Sequence, residues 1–329
     1  MRSSTVFLLA FFIFWSGLGI FGEKAKASIQ CPSVISGSEI SIPNSSVQSL
    51  SVSGLCDLVL AGASPGNDAV LYNFANGHEV RRFHLGDDSS VDFVRLSNDG
   101  HYALTVSAKG SYSDVVWLWD VSSGHALAGL GRTRTHLALF DPQSRFAVIP
   151  SGNDVRFYDL KTLRPAGRLT AQQPVYTLAL SVDGTQLATG EKDGTVELWD
   201  LKQSKVVSTI AGTGVLAAAV SFSPTTGSLL VITDHVRLFD VKGPKPVLSR
   251  ELGLGVEPNS LVNGSISPDG SKVLVALSGR VTIYDANSGE ELWMGGAQGL
   301  NQAEFSPDSH WVLGAVDGSV VRWRISDNP

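Results

Sequence analysis

Along most of this chain the apolar residues fall in short bursts rich in Val, Leu, Ile and aromatics, separated by clusters of Gly, Asp, Ser, Asn and Pro. Bursts of that length and composition predict β-strands, and the clusters between them predict tight turns. The clearest sample is 217–240. Residues 217–223 predict one strand, Ser223-Pro224-Thr225-Thr226 a turn, 229–233 a second strand and 236–240 a third. Proline presets the first central residue of such a turn, and Asp or Gly suits the positions after it. Related turn signals stand at Ser97-Asn98-Asp99-Gly100, Asp141-Pro142-Gln143-Ser144, Ser181-Val182-Asp183-Gly184, Ser267-Pro268-Asp269-Gly270 and Ser306-Pro307-Asp308-Ser309, and the poorest is Ser53-Gly54.

A second signal keeps step with the turns. Leu198-Trp199-Asp200 recurs as Leu118-Trp119-Asp120, Phe157-Tyr158-Asp159, Leu238-Phe239-Asp240 and Ile283-Tyr284-Asp285; Leu71-Tyr72-Asn73 opens the series and Arg322-Trp323-Arg324 closes it. The central aromatics are 47, 39, 41, 40, 45 and 39 residues apart. Short strands under a fixed period of about 42 residues select a β-propeller, whose blades are four-stranded sheets of about 40–45 residues. The expected fold is therefore all-β: a seven-bladed propeller of four-stranded antiparallel blades. The last unit ends soon after its third strand at 320–325, with no room for an outer one. Glu39-Ile40-Ser41-Ile42-Pro43 alternates like a strand and has no unit of its own, so an N-terminal strand is expected to complete the last blade and close the ring. Closure hides sheet edges that would otherwise invite aggregation.

The tripeptides and their spacing resemble the WD-repeat β-propeller family, over essentially all residues after 27. Asp193 and Asp317 match that family's Asp in the turn before the third strand. The family's Gly-His pair ahead of the first inner strand is absent; Gly77-His78 and Gly124-His125 fall after the tripeptide instead.

The beginning of the chain follows a different pattern. Residues 6–21, VFLLAFFIFWSGLGIF, carry no charge; Arg2 precedes them, and Ala25-Lys26-Ala27 follows. A charged start, an apolar middle and an A-x-A end predict a secretory signal peptide at 1–27, cut near Ala27. The run is short for a spanning helix and is broken by Gly17 and Gly19, which argues against a retained anchor. Residues 28–329 are then a single exported propeller with no membrane span, periplasmic or secreted and expected to be monomeric alone. Cutting removes Arg2, Lys24, Lys26 and Glu23, taking the net charge from −6 to −8. An acidic chain does not suit nucleic acid. Cys31 and Cys56, the only cysteines, would meet an oxidising compartment and are expected to pair, tying the closing segment to the first blade.

Composition and chemistry then narrow the function. Gly makes up 34 of 329 residues and charged residues only 17%, which suits many short strands and excludes a coiled coil or a disordered chain. None of the seven His stands in an His-x-His or His-Glu-x-x-His arrangement, and no Gly-x-Ser-x-Gly elbow occurs, so no catalytic residue, metal ligand or cofactor site is assigned. Tyr284-Asp285-Ala286-Asn287-Ser288-Gly289-Glu290-Glu291-Leu292-Trp293 resembles a blade signature of quinone-dependent propeller dehydrogenases, in which the Trp packs between blades. That resemblance leaves open a propeller enzyme, an electron-transfer subunit or a cell-envelope assembly factor. The leading expectation is a non-enzymatic scaffold that binds a protein or peptide through the loops at one end of the ring, where propellers carry function. The WD-repeat frame makes two such loops neighbours: one carries Lys109 and Tyr112, the other Arg132, Arg134 and His136. Tyr and Arg are favoured anchors in interfaces, and Arg presents a planar fork to carboxylates. The loop within 253–264, with Glu257 and Asn259, is a further candidate.

Overall fold

The apolar bursts form strands that pair with their nearest neighbours in the chain. The computed structural model describes residues 30–33, 40–86, 90–108, 114–133, 135, 137–253, 256 and 261–325. Among them the regular elements are all β-strands, and no helix is long and apolar enough to cross a membrane. Five antiparallel sheets of four strands span residues 90–133, 139–170, 175–210, 219–252 and 261–295, each in simple chain order. The sixth sheet has six strands, ordered Gln302–Phe305, Trp311–Arg324, Ile40–Val52, Leu58–Ser64, Asp68–Asn73 and Glu79–His84. It joins the two ends of the described chain, with Ile40 opposite Val320 and Ser41 opposite Ser319. The molecule is an all-β propeller.

The first and last units therefore do not form two separate four-stranded sheets. Ile40–Val52 and Trp311–Arg324 each run on without a break, and pairing continues across the join at Ser46 and Asp317. The Ser46 hydroxyl donates to the Asp317 carboxylate at 2.5 Å, which holds the two strands together at that point.

The turn signals share one hydrogen-bond pattern. The N–H groups of Ser53, Ser97, Asp141, Ser181, Ser223, Ser267 and Ser306 each donate to the carbonyl five residues on. In six of these turns the Ser or Asp side chain also accepts the N–H of that fifth residue, as Ser97 does from Tyr102 at 2.9 Å and Asp141 from Phe146 at 2.7 Å. A short side chain with an acceptor oxygen satisfies a backbone group that the turn leaves open. The tripeptide Asp has a matching role one strand later: Asp120, Asp159 and Asp285 accept N–H groups of Ser123, Thr162 and Ser288. The chain then reverses through Gly124 (φ 76°) and Gly289 (φ 79°), a backbone conformation that glycine adopts without strain.

The outer strands of the first six units carry a bulge at the same place, between the partners of the tripeptide's first two residues. The extra residues are Val80, Leu127, Ala166, Val207, Ser249 and Leu292. A bulge twists an edge strand and makes it a poor template for another chain.

Among the described residues the core is a series of seven buried apolar clusters, each packed between successive units. One of them lies inside the six-stranded sheet, where Val47, Leu50, Val59 and Val70 meet Leu313, Ala315 and Val320. Trp119 and Trp199 are buried and donate their indole N–H to Thr105 and Thr189 on the neighbouring strand, at 2.9 and 3.1 Å. The innermost strands have one free edge, and side chains from the preceding unit satisfy it. Ser49 accepts the Val94 N–H at 3.1 Å, Ser221 that of Ile266 at 3.1 Å, and Gln302 that of Leu50 at 2.9 Å. Asn263 forms a two-point contact with the Ala303 peptide, at 2.6 and 2.9 Å.

Cys31 and Cys56 form a disulfide with Cα atoms 5.1 Å apart, as the sequence led us to expect. The Cys31 N–H also donates to Asp308 at 2.9 Å, in the turn of the last unit. One short segment thus straps the first unit to the last.

Candidate functional site

One end of the ring gathers the turns between second and third strands and the loops leading into each sheet. There Asp114 pairs with Thr133 and Val115 with Arg132, so the strand after the first basic loop starts beside the end of the strand before the second. Arg132 is exposed at that edge. Thr133 is buried and accepts the Thr135 N–H at 3.2 Å, which turns the chain just past Arg132. Lys109, Tyr112, Arg134, His136, Glu257 and Asn259 lie outside the described residues.

The described residues at this end carry a good deal of charge. Asp234, His235, Arg237 and Glu251 form one cluster, with Arg237 2.9 Å from Glu251 and 3.5 Å from Asp234, and His235 3.1 Å from Asp234. The Thr233 hydroxyl donates to Asp234 and, as the largest of several influences, holds its carboxyl down at about 2. Asp68 collects Arg82 and His84 at 3.4 and 2.8 Å, and Asp154 collects Arg156 and Arg168 at 3.7 and 3.6 Å. Most of these are exposed pairs, which orient side chains more than they stabilise the fold. Among the described residues no three His, Cys, Asp or Glu side chains gather into a metal-binding group.

Two features of this region went unread in the sequence. The first is a central cavity of about 560 Å³ walled by the innermost strands. Arg95 and Glu304 meet across it at 3.3 Å, and burial pushes the Glu304 carboxyl up, against the opposing pull of Arg95. The second is a pair of carboxyl groups, Glu191 and Glu197, wholly buried between the sheets of residues 139–170 and 175–210. Glu197 pairs in register with Thr189, which puts Glu191, two residues on, on the same face. Both Glu191 oxygens and one Glu197 oxygen are buried without a hydrogen-bond partner. Burial, and after it the negative charge of Glu197, raises the Glu191 carboxyl to about 8; burial raises Glu197 as well. The signal was available: Glu197 alternates with Trp199, and an inward Trp implies an inward Glu two residues away.

Trp293, singled out by its quinone-enzyme-like motif, packs against the core of the last seam with its ring 6.1 Å from that of Trp323. Its surroundings are those of a packing residue.

Comparison with known proteins agrees with the fold. A family model described as "WD domain, G-beta repeat" matches residues 163–200. The chain is similar to the ribosome biogenesis protein ENP2 of Chaetomium thermophilum, 29% identical over 40% of this chain and 20% of that protein. It is also similar to the WD repeat-containing protein SL1-17 of Schistosoma mansoni, 28% identical over 46% of this chain and 52% of that protein. A third relative, the serine-threonine kinase receptor-associated protein of Dictyostelium discoideum, is 25% identical over 78% of this chain and 86% of that protein. The chain spans between a fifth and about half of the length of the first two. In-phase tripeptides, sheets in chain order around a ring and these similarities make the chain a divergent member of the WD-repeat family.

Proposed function

We propose that this chain is an exported, seven-bladed WD-repeat scaffold that binds a protein or peptide partner through the loop end of the ring. Seven turns of one pattern and seven inter-unit cores support the blade count. In this reading the six-stranded sheet is the first and last blades run together, with 40–42 as the outer strand of the last. The disulfide suits an oxidising compartment and is consistent with export behind a cleaved signal peptide at 1–27. A mass measurement on the protein isolated from cells tests this directly, the expected first residue being Ser28.

The observation that carries the binding reading is the register of Asp114 with Thr133. It sets the bases of two loops side by side, and their sequences hold Lys109, Tyr112, Arg132, Arg134 and His136 in a chain of net charge −6. Basic groups around an aromatic suit an acidic surface on a partner. The relative named as receptor-associated lends support to a role in protein association. Crosslinking and mass spectrometry on the native protein identifies the partner. Arg132→Ala combined with Arg134→Ala should then weaken its binding by tenfold or more, a typical cost of losing anchor residues. Unchanged affinity would remove these loops from the interface.

A further inference from the structure

The repeat offers an internal comparison at the seams between units. On each outer strand one residue stands opposite the first residue of the tripeptide: Arg81, Ala128, Gly167, Ser208, Arg250 and Trp293. Where this side chain is long, it crosses the seam and covers the next unit. Arg81 donates to the Ser123 carbonyl at 2.9 Å and Arg250 to that of Ser288 at 2.8 Å, each in the next unit's turn after the tripeptide. Trp293 packs against the last unit beside Trp323.

At the seam between residues 139–170 and 175–210 the position is Gly167, which has no side chain to cross. Leu180, just before the turn serine, and Leu201, just after the tripeptide, are only partly buried. Their counterparts beneath Arg81 are Leu96 and Val121, and beneath Trp293 they are Phe305 and Ile325; all four are buried. With Phe146 and Phe157, the two leucines line a cavity of about 120 Å³, the size of one large side chain. Arg145 stands at its rim with its side chain 58% exposed. It has one carboxylate close by, Asp141 at 3.1 Å, but a guanidinium carries five donors and can bind a second carboxylate.

We propose that this seam pocket is a docking site for one aromatic side chain of a protein partner, flanked in the partner's sequence by acidic residues. The occupant is argued from two observations. Trp293 fills the register-equivalent place within this same chain, so the fold accommodates an indole there. The rim Arg145 favours a carboxylate beside the ring and can also lie against its face. Gly184 and Ser204 place the pocket at the turn end of the strands, away from the loop end. The site is therefore independent of the loop reading, and each can fail alone.

The test uses dye-labelled Asp-Glu-Trp-Glu-Asp, with the Trp→Ala peptide and Lys-Lys-Trp-Lys-Lys as comparisons, titrated by fluorescence anisotropy against the full-length protein. Saturable binding of the acidic Trp peptide is expected, at least about tenfold tighter than either comparison. Gly167→Trp plugs the pocket from within and should abolish binding while the melting temperature holds. Arg145→Glu changes an exposed rim residue and should turn the preference toward the Lys-flanked peptide, so the proposal stays testable if the plug disturbs folding. No saturable binding of the acidic Trp peptide, or binding indifferent to the rim reversal or to a folded Gly167→Trp, overturns it.

Discussion

Replacing Glu191 with Gln should stabilise the protein at alkaline pH and flatten its pH dependence. The Glu191 carboxyl is raised in the folded state from 4.5 to about 8. A group raised in this way binds its proton more tightly when folded. Its contribution is fully present below about pH 4.5 and is lost as the pH climbs through about 8. At ~1.4 kcal/mol per pH unit, the full shift sets a ceiling of about 5 kcal/mol. Two carboxyls in one site release their protons in coupled steps, and a newly buried charge draws in water and relaxes its surroundings. The expected loss for the native protein between about pH 5 and about pH 9 is therefore nearer 2 kcal/mol. Urea unfolding of wild type and Glu191→Gln at both pH values measures it. Every other ionisable group is common to the two proteins, so its effect cancels in the difference. Any cost of burying the Gln amide is the same at every pH and cancels too. A stability difference that stays constant with pH would refute the reasoning, because it would mean that Glu191 ionises as freely folded as unfolded.

Three further outcomes follow from the packing. Cys31→Ser with Cys56→Ser opens a loop of sequence separation 25 and should cost about 3 kcal/mol, seen as a lower urea midpoint; reduction of the wild type should reproduce it. Thr189→Val keeps its shape but leaves the buried Trp199 indole N–H without its acceptor, and should cost about 1–3 kcal/mol in the same assay. Gln302→Ala removes the acceptor of both the Ser49 hydroxyl and the Leu50 N–H. Amide exchange should then speed up in 40–52 and 311–324 before the sheets on the far side of the ring.

Much of the fold could be read from short stretches of chain. The turn serines, the tripeptide Asp residues and the alternation within strands act over fewer than ten residues, and each has the hydrogen bonds its type suggests. Ser53 makes the point well: its turn signal was the poorest, yet it makes the same backbone and side-chain bonds as Ser97. The six-stranded sheet was not foreseen, because whether two units share unbroken strands depends on the pairing of Ser46 with Asp317, residues at opposite ends of the chain. Of the anticipated site, the structure describes Arg132 and the edge from which its loop leaves. The carboxyl pair escaped notice because a Glu beside a turn ordinarily points to water. Its burial comes from the neighbouring sheet.

The sequence by itself determined that this protein is all-β, that it is built of repeated units about 42 residues long, where the turns fall, and which two cysteines could meet. Each depends on periodicity or on local turn chemistry. The tertiary structure alone decided what happens at the seams. There residues some 40 positions apart face each other, and one position holds Arg81, Gly167 or Trp293 in turn. Whether a seam is filled, left open or made to bury a carboxyl pair depends on two units at once, and the pattern within a single unit carries no record of its neighbour's shape.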